Sequence, residues 1–343
     1  MNWLVIVAIV YLGLVIVELA WAFRAVHRFE SNESGSGLFL GLRRPMQSGI
    51  YGAACRRSSG RPKQTPANFS IRPRNLSFGD EILSRRSWLG GDPVATAFYN
   101  ALSACFPSGE RFFMDSVRQF RDCATGPLRG QIAAFLSQEA AHSREHIIFN
   151  TQIATNDPSI AAMQARAEAC LKIARTRLPL QQLGETIALE HLTAILADAL
   201  LSDSRHLADA PYNIQAMWRW HAIEEIEHKA VAFDTFASAT SSLSSVRRWA
   251  LRVSTMTTST WQLIATMGCN ISDSFTTDGI NRSTTWARLF GYLLVRPGIL
   301  RQALPKYFAY FLPGFHPWRQ DNRALMISAE LRLATDHPTG VTR

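Results

Sequence analysis

The chain has 343 residues, of which 47% are hydrophobic, so it can bury a sizeable core in one large domain or two ordinary ones. Its 36 basic and 27 acidic residues give a net charge of +9, yet zinc-finger spacings, RNA-binding motifs and basic stripes with interleaved aromatics are missing. This disfavours nucleic acid and leaves an anionic membrane surface as the preferred partner of the excess charge. Five cysteines without a CxxC pair argue against a disulfide framework and suggest a reducing compartment.

An apolar run, WLVIVAIVYLGLVIVELAWAF, occupies residues 3–23. It approaches the ~20 residues that a helix needs to cross a bilayer, and Glu18 is its only charged residue. Residues 1–24 are therefore predicted to be a transmembrane anchor, and the basic residues that follow place the main domain on the cytoplasmic side of the inner membrane. The alternative is that this segment does not belong to the working protein, which would then be cytoplasmic. Residues 25–70, rich in Ser, Gly and Arg, are predicted to be a low-complexity linker.

From Asp92 onward, apolar residues recur at helical spacing without strand-like alternation, which predicts an all-α domain. Pro107 and Ser108 are expected to end one helix and begin the next, and Pro297 and Pro305 to interrupt a later one. The predicted helices span about 93–106, 108–125, 128–151, 160–178, 180–203, 212–238, 245–268 and 285–312, with a polar loop at 269–284.

Two of the predicted helices contain a Glu-x-x-His pair, and the helix before each pair carries a lone glutamate. In chain order these residues are Glu110, Glu139, His142, Glu190, Glu225 and His228. Residues three apart share a helix face, so each pair can direct a carboxylate and an imidazole to one place. Di-iron bundles take Glu-x-x-His from two helices and one glutamate from each of two others. The sequence therefore predicts a ferritin-like helical bundle with additional helices that binds two metal ions, with iron favoured over manganese or zinc.

Each of these residues alone has a more ordinary explanation. Glu110 would usually be a solvated acid in a first helical turn, and the acidic run 224–227 would usually be a solvated helix face. Only the combination favours a metal site. Two further histidines, His146 and His221, fall within four residues of a pair and are predicted to be additional ligands or groups that orient the ligands.

Longer stretches of the chain extend beyond these pairs. They are IRPRNLSF from Ile71, WLGGDP from Trp88, ALSACFPSGERFF from Ala101, QEAAHSREH from Gln138, ALEHLTA from Ala188, WRWHAIEEIEHKAVAFD from Trp218 and PGFHPW from Pro313. Together they resemble a family of bacterial proteins catalogued as predicted metal-dependent hydrolases and assigned to the ferritin-like superfamily. The resemblance implies one helical di-metal domain over residues 71–320, followed by a C-terminal tail at 321–343. It also implies that the metal is bound by Glu110, Glu139, His142, His146, Glu190, His221, Glu225 and His228.

Three functions are compatible with such a site. The favoured one is O2-dependent oxidation of a small apolar substrate, because two carboxylate-bound irons in an apolar bundle can form a strong oxidant. The alternative is a hydrolase that uses a metal-activated water, with Glu224 or Glu227 as a general base. Metal storage or a scaffold role is less favoured. A homodimer is compatible with the sequence, and residues 289–315 could lie on a membrane surface or, as we prefer, cover the open side of the bundle.

Overall fold

The computed structural model describes residues 65–66, 69–79 and 85–336. The predicted anchor at 1–24, nearly all of the predicted linker and the end of the C-terminal tail lie outside the described residues. Within them the chain forms helices and no strand, which confirms the all-α prediction. None of the described helices is both long and apolar enough to cross a bilayer.

The helices follow one another with short connections. They are α1 (Pro93–Arg118), α2 (Pro127–Ala154), α3 (Ser159–Ala174), α4 (Pro179–Ser202), α5 (Tyr212–His228), α6 (Val231–Ala239), α7 (Ser245–Thr277), α8 (Ser283–Leu294), α9 (Ile299–Ala309) and α10 (Arg323–Asp336). The first begins where the Asp92 side chain accepts a hydrogen bond from the Val94 amide and Pro93 takes the first helical position. Both features stabilise a helix N-terminus.

Four of these helices pack in a closed ring: α1 against α2, α2 against α5, α5 against α4, and α4 against α1. The α3 helix connects the two halves of the ring and packs against α1. Around the ring, α7 packs against α4, α1 and α3, while α9 covers α4 and α10 covers α5. The ring therefore forms the inner bundle, and the remaining helices shield its outer faces.

Two apolar clusters supply most of the buried core of the ring. The α1, α2 and α4 helices pass from one cluster to the other, whereas the buried apolar residues that α5 contributes belong to the first and those of α6 to the second. On α1 the first cluster takes residues from Val94 to Ala104, and the second takes residues from Phe112 to Val117. On α2 the order is reversed: Ile132 and Phe135 belong to the second cluster and Phe149 to the first. The predicted ligands fall between these stretches, so the fold places them in a layer sandwiched by hydrocarbon.

The predicted break at Pro107 and Ser108 is wrong, because α1 continues through both residues. A proline inside a helix has no N–H for the carbonyl four residues earlier. Here that carbonyl belongs to Ser103, and the Asn150 side-chain amide of α2 donates to it over 3.0 Å. A side chain from the neighbouring helix thus supplies the hydrogen bond that the proline cannot make.

Other boundaries also differ from the prediction. The helix expected over 212–238 is divided into α5 and α6. Lys229 lies between the two helices, and its amino group donates to the Gln320 carbonyl and to the Asn322 side chain. The polar loop expected at 269–284 is helical up to Thr277, because its buried Ile271 and Phe275 stand one helical turn apart and reach the first cluster. The interruption at Pro297 is confirmed, whereas Pro305 lies inside α9.

Replacing Asn150 tests the bridge across Pro107. In Asn150→Leu the buried Ser103 carbonyl loses its donor, so we expect the free energy of unfolding to fall by about 1–3 kcal/mol in urea titrations. Adding Pro107→Ala returns a backbone N–H opposite this carbonyl and should recover part of the loss. A double variant no more stable than Asn150→Leu would contradict this account of the helix.

Candidate metal centre

The structure brings all eight predicted ligands together at the centre of the ring. They come from α1 (Glu110), α2 (Glu139, His142 and His146), α4 (Glu190) and α5 (His221, Glu225 and His228). We call them the Glu/His cluster. Each side chain is at most 5% exposed. Four carboxylates at this depth must be protonated, paired with cations or bound to metal.

Although His228 Nε2 lies 3.0 Å from Glu139 Oε1, most of the polar atoms that face each other in the Glu/His cluster make no well-aligned hydrogen bond. These atoms are Glu110 Oε1, both carboxylate oxygens of Glu139 and of Glu190, Glu225 Oε2, His142 Nδ1 and His228 Nε2. They belong to the six residues of the Glu, Glu-x-x-His, Glu, Glu-x-x-His pattern. Unpaired buried polar atoms cost about 1–3 kcal/mol each, and more when charged. Metal ions among them would satisfy these atoms, so the donor set fits the predicted metals.

The spacing of these atoms fits two adjoining ions. Candidate ligand atoms of Glu139, Glu225 and His228 lie within 4.8 Å of one another, and the same holds for Glu110, Glu139 and His142. Glu139 belongs to both groups, as a bridging carboxylate would. Glu190 adjoins the first group, with its Oε2 3.5 Å from His228 Nε2.

Two side chains outside the Glu/His cluster fix which imidazole nitrogen faces inward. The Gln138 amide donates to Glu227 over 2.8 Å, so its carbonyl oxygen is turned to accept from His228 Nδ1 at 3.1 Å. His142 Nε2 donates to Glu224 over 3.0 Å. In a neutral imidazole the nitrogen without the proton carries the lone pair that can bind a metal. The nitrogen that His228 offers is therefore Nε2, and the nitrogen that His142 offers is Nδ1.

A longer chain of hydrogen bonds orients the two additional histidines. The Asn150 side-chain amide donates to the Ser103 carbonyl, and its oxygen accepts from the Ser103 hydroxyl at 2.7 Å. Because the single hydrogen of this hydroxyl is used in that bond, the hydroxyl oxygen must accept from His146 Nδ1 at 2.8 Å. His146 Nε2 then accepts from His221 Nδ1 at 2.7 Å. His221 is left with Nε2 facing the Glu225 carboxylate at 2.9 Å. The arrangement favours His221 as a ligand and His146 as the residue that orients it.

Burial and mutual charge shift the pKa values of the carboxyls. Burial raises the pKa of Glu110 and of Glu139 well above the ordinary range. Burial also raises the pKa of Glu190, to about 8, although the positive charge of His228 acts to lower it. Burial has the same effect on Glu225, but His228 and its neighbours outweigh it and hold the pKa of Glu225 well below normal. Burial lowers the pKa of His228, whereas Glu225 and Glu190 raise it to about 9. Metal ions binding here would therefore displace protons.

The two predicted general bases lie behind the Glu/His cluster. Arg74, in the extended segment 69–79, donates to Glu224 over 3.1 Å and to Glu227 over 2.7 Å, and it also pairs with Glu330 of α10. Glu224 holds His142, and Glu227 holds Gln138. This geometry favours positioning roles for both carboxylates, and their role as general bases stays a prediction.

Several residues of the site were not anticipated from the sequence. Ser143 donates to Glu110 Oε2 over 2.7 Å and so leaves Oε1 as the unpaired oxygen. Ser143 and Gln138 could have been found, because each stands next to a predicted ligand in sequence and faces inward at helical spacing. Arg74 gave no such signal, because it reaches α5 from about 150 residues away.

An apolar cleft leads to the Glu/His cluster. The space it offers to the centre of a water-sized sphere is about 40 Å³, and His221 and Glu225 are part of its lining. Apolar side chains from α1, α4, α5 and α9 form most of its wall, among them Leu102, Phe106, Leu196, Leu200, Trp218 and Ile299. A substrate that enters this way would present an apolar group to the wall and its reacting bond to the cluster.

Comparison with known proteins gives one family match. A family model described as "Predicted metal-dependent hydrolase" matches residues 72–321, which include all eight members of the Glu/His cluster. No curated protein and no solved structure matches the chain.

Metal-dependent stability tests the candidate centre. Adding Mn²⁺ or Zn²⁺ to metal-free protein should raise its Tm, because binding at about 100 times Kd stabilises the folded state by about 2.7 kcal/mol. Glu139→Gln should abolish this rise while changing the stability of the metal-free protein little. Burial raises the pKa of Glu139 well above normal, and the amide oxygen of Gln can keep the contact that Glu139 Oε1 makes with His228 Nε2 at 3.0 Å.

The matched control is Glu185→Gln. Glu185 is also buried on α4 but pairs with Arg177 at 2.7 Å outside the Glu/His cluster. This variant should keep the metal-induced rise in Tm. An equal rise in Glu139→Gln and the unaltered chain would exclude Glu139 as a ligand.

Proposed function

The chain belongs to the family of predicted metal-dependent hydrolases, and we propose that it hydrolyses a substrate with an apolar group at a two-metal centre formed by the Glu/His cluster. The observation that carries the proposal is the set of unpaired ligand atoms on Glu110, Glu139, His142, Glu190, Glu225 and His228. Mixed carboxylate and imidazole ligation suits iron, manganese and zinc alike.

The residues divide into ligands and supports. Glu110, Glu139, Glu190 and Glu225 would supply carboxylate ligands to the two ions, and His142, His221 and His228 would supply imidazole ligands, with His146 orienting His221. Ions bound there would supply a Lewis acid and lower the pKa of a nearby water. On the side of the cleft, His221 and Glu225 meet the substrate, and the apolar wall excludes bulk water around the scissile bond.

Glu224 and Glu227 would keep the ligands in place. Both carboxylates are held by Arg74, so neither is free to turn toward the cleft without breaking an ion pair. The pair Glu224–His142 sets the ring orientation of one ligand, and Glu227–Gln138–His228 does the same for the other. Loss of such outer partners typically weakens metal affinity by about 10–100-fold.

We also propose that α1, α2, α4 and α5 form a ferritin-like core. The closed ring of four helices and the long connection through α3 support this assignment. So does the origin of the cluster, in which two helices give Glu-x-x-His and two give a lone glutamate.

Oxidation by O2 at a di-iron centre is the second candidate. The almost wholly apolar wall of the cleft favours it, since such a pocket suits an unactivated hydrocarbon substrate. The family description gives this candidate no support, and we therefore rank it below hydrolysis.

Oxygen-isotope labelling distinguishes the two reactions. Protein loaded with iron, manganese or zinc is incubated with esters and amides of apolar acids in oxygen-18 water, with and without O2. Hydrolysis predicts product oxygen from water, activity under anaerobic conditions, and a loss of about 100-fold or more in Glu139→Gln but not in Glu185→Gln. In a parallel incubation with oxygen-18 O2 in ordinary water, label in an oxidised product would overturn the hydrolase proposal.

A further inference from the structure

The region from α8 to the end of α9 has an unusual charge composition. Residues 279–320 contain no Asp or Glu, and their basic residues are Arg282, Arg288, Arg296, Arg301, Lys306 and Arg319. Arg288 pairs with Asp92, and Lys306 pairs with Asp198. Arg296 and Arg301 are exposed and form no ion pair with any described residue.

The same region exposes large apolar side chains beside these arginines. On α9, Leu304 is 42% and Phe308 55% exposed, and they lie one turn apart on the face that also carries Arg301. The opposite face of α9 is buried through Ile299 and Ala303. This helix therefore has one apolar face in the protein and a second, partly apolar face in solvent.

The α8 helix packs against α9, and further exposed apolar residues stand on α8 and in the segments that flank α9. We define the α8–α9 surface by Phe290, Leu294, Val295, Arg296, Arg301, Leu304, Phe308 and Leu312. Its apolar members are between 39% and 69% exposed. Clustered exposed apolar residues mark a surface that another body covers.

We propose that the α8–α9 surface binds an anionic lipid bilayer. Anionic lipid interfaces attract apolar side chains that insert between headgroups, together with arginines that have no ion pair and a segment without acids. The apolar run at residues 3–23 of this chain is another conceivable occupant. It carries a single charge, Glu18, and so offers little to Arg296 and Arg301.

The cleft adjoins this surface. Ile299, which lines the cleft, directly follows the loop that carries exposed Val295 and Arg296. A lipid-like molecule could therefore pass from the bilayer to the Glu/His cluster along apolar side chains. This substrate class rests on the proposed function, whereas binding of the bilayer does not.

Site-specific photo-crosslinking in the full chain tests the contact. Benzoylphenylalanine in place of Phe308 should crosslink to lipid in vesicles of equal parts phosphatidylcholine and phosphatidylglycerol, and much less in vesicles of phosphatidylcholine alone. The same probe in place of Ile173, which is 65% exposed on α3, should give background only. Crosslinks from position 308 to this chain, to a second copy or to no lipid would overturn the proposal.

Charge reversal gives an independent readout. Arg296→Glu with Arg301→Glu should lower the affinity for the mixed vesicles by at least about tenfold, because each basic residue contributes at the anionic surface. The matched control, Arg129→Glu with Lys172→Glu, reverses the charge of two exposed basic residues of α2 and α3 and should leave the affinity unchanged. Equal losses in both variants, or none in either, would count against the α8–α9 surface. Hydrolytic activity on soluble esters should persist in both, which separates this proposal from the proposed function.

Discussion

The burial of four carboxylates in a layer between two apolar clusters constrains everything around it. A carboxylate in such surroundings is stable only with a proton, a cation or a metal beside it. The Glu/His cluster meets this demand with imidazoles from α2 and α5, yet many of its oxygens still lack a well-aligned hydrogen bond. The bundle is therefore built around carboxyl groups that keep protons until metal ions replace them.

The supporting hydrogen bonds follow from this constraint. Two side-chain amides, on Gln138 and Asn150, have one end fixed by an acceptor, so the other end can only accept. Gln138 thereby sets the tautomer of His228 directly, and Asn150 sets that of His221 through Ser103 and His146. Neutral amides can orient the imidazoles in this way without adding a fifth carboxylate to a site that already contains four.

Sequence spacing identifies most of the residues that meet in the Glu/His cluster, but few of those that support them. Glu139 with His142, and Glu225 with His228, are recognisable because helical spacing is local and can be read along the chain. The continuity of α1 through Pro107 is not, because the hydrogen bond that permits it comes from Asn150 on another helix. The same limit applies to Arg74, whose partners Glu224 and Glu227 look like a solvated acidic face until the segment 69–79 is seen to cross them.

Arg74 also links the site to a part of the chain outside the family match. Its guanidinium is shared by Glu224, Glu227 and Glu330, and Glu330 lies on α10 beyond residue 321, where the match ends. A chain that ended at residue 321 would retain every member of the Glu/His cluster, but Arg74 would face two acids instead of three. Relatives without an equivalent of α10 would need another acid to pair with this guanidinium. The residues that the family has in common can therefore end before the last residue that pairs with Arg74.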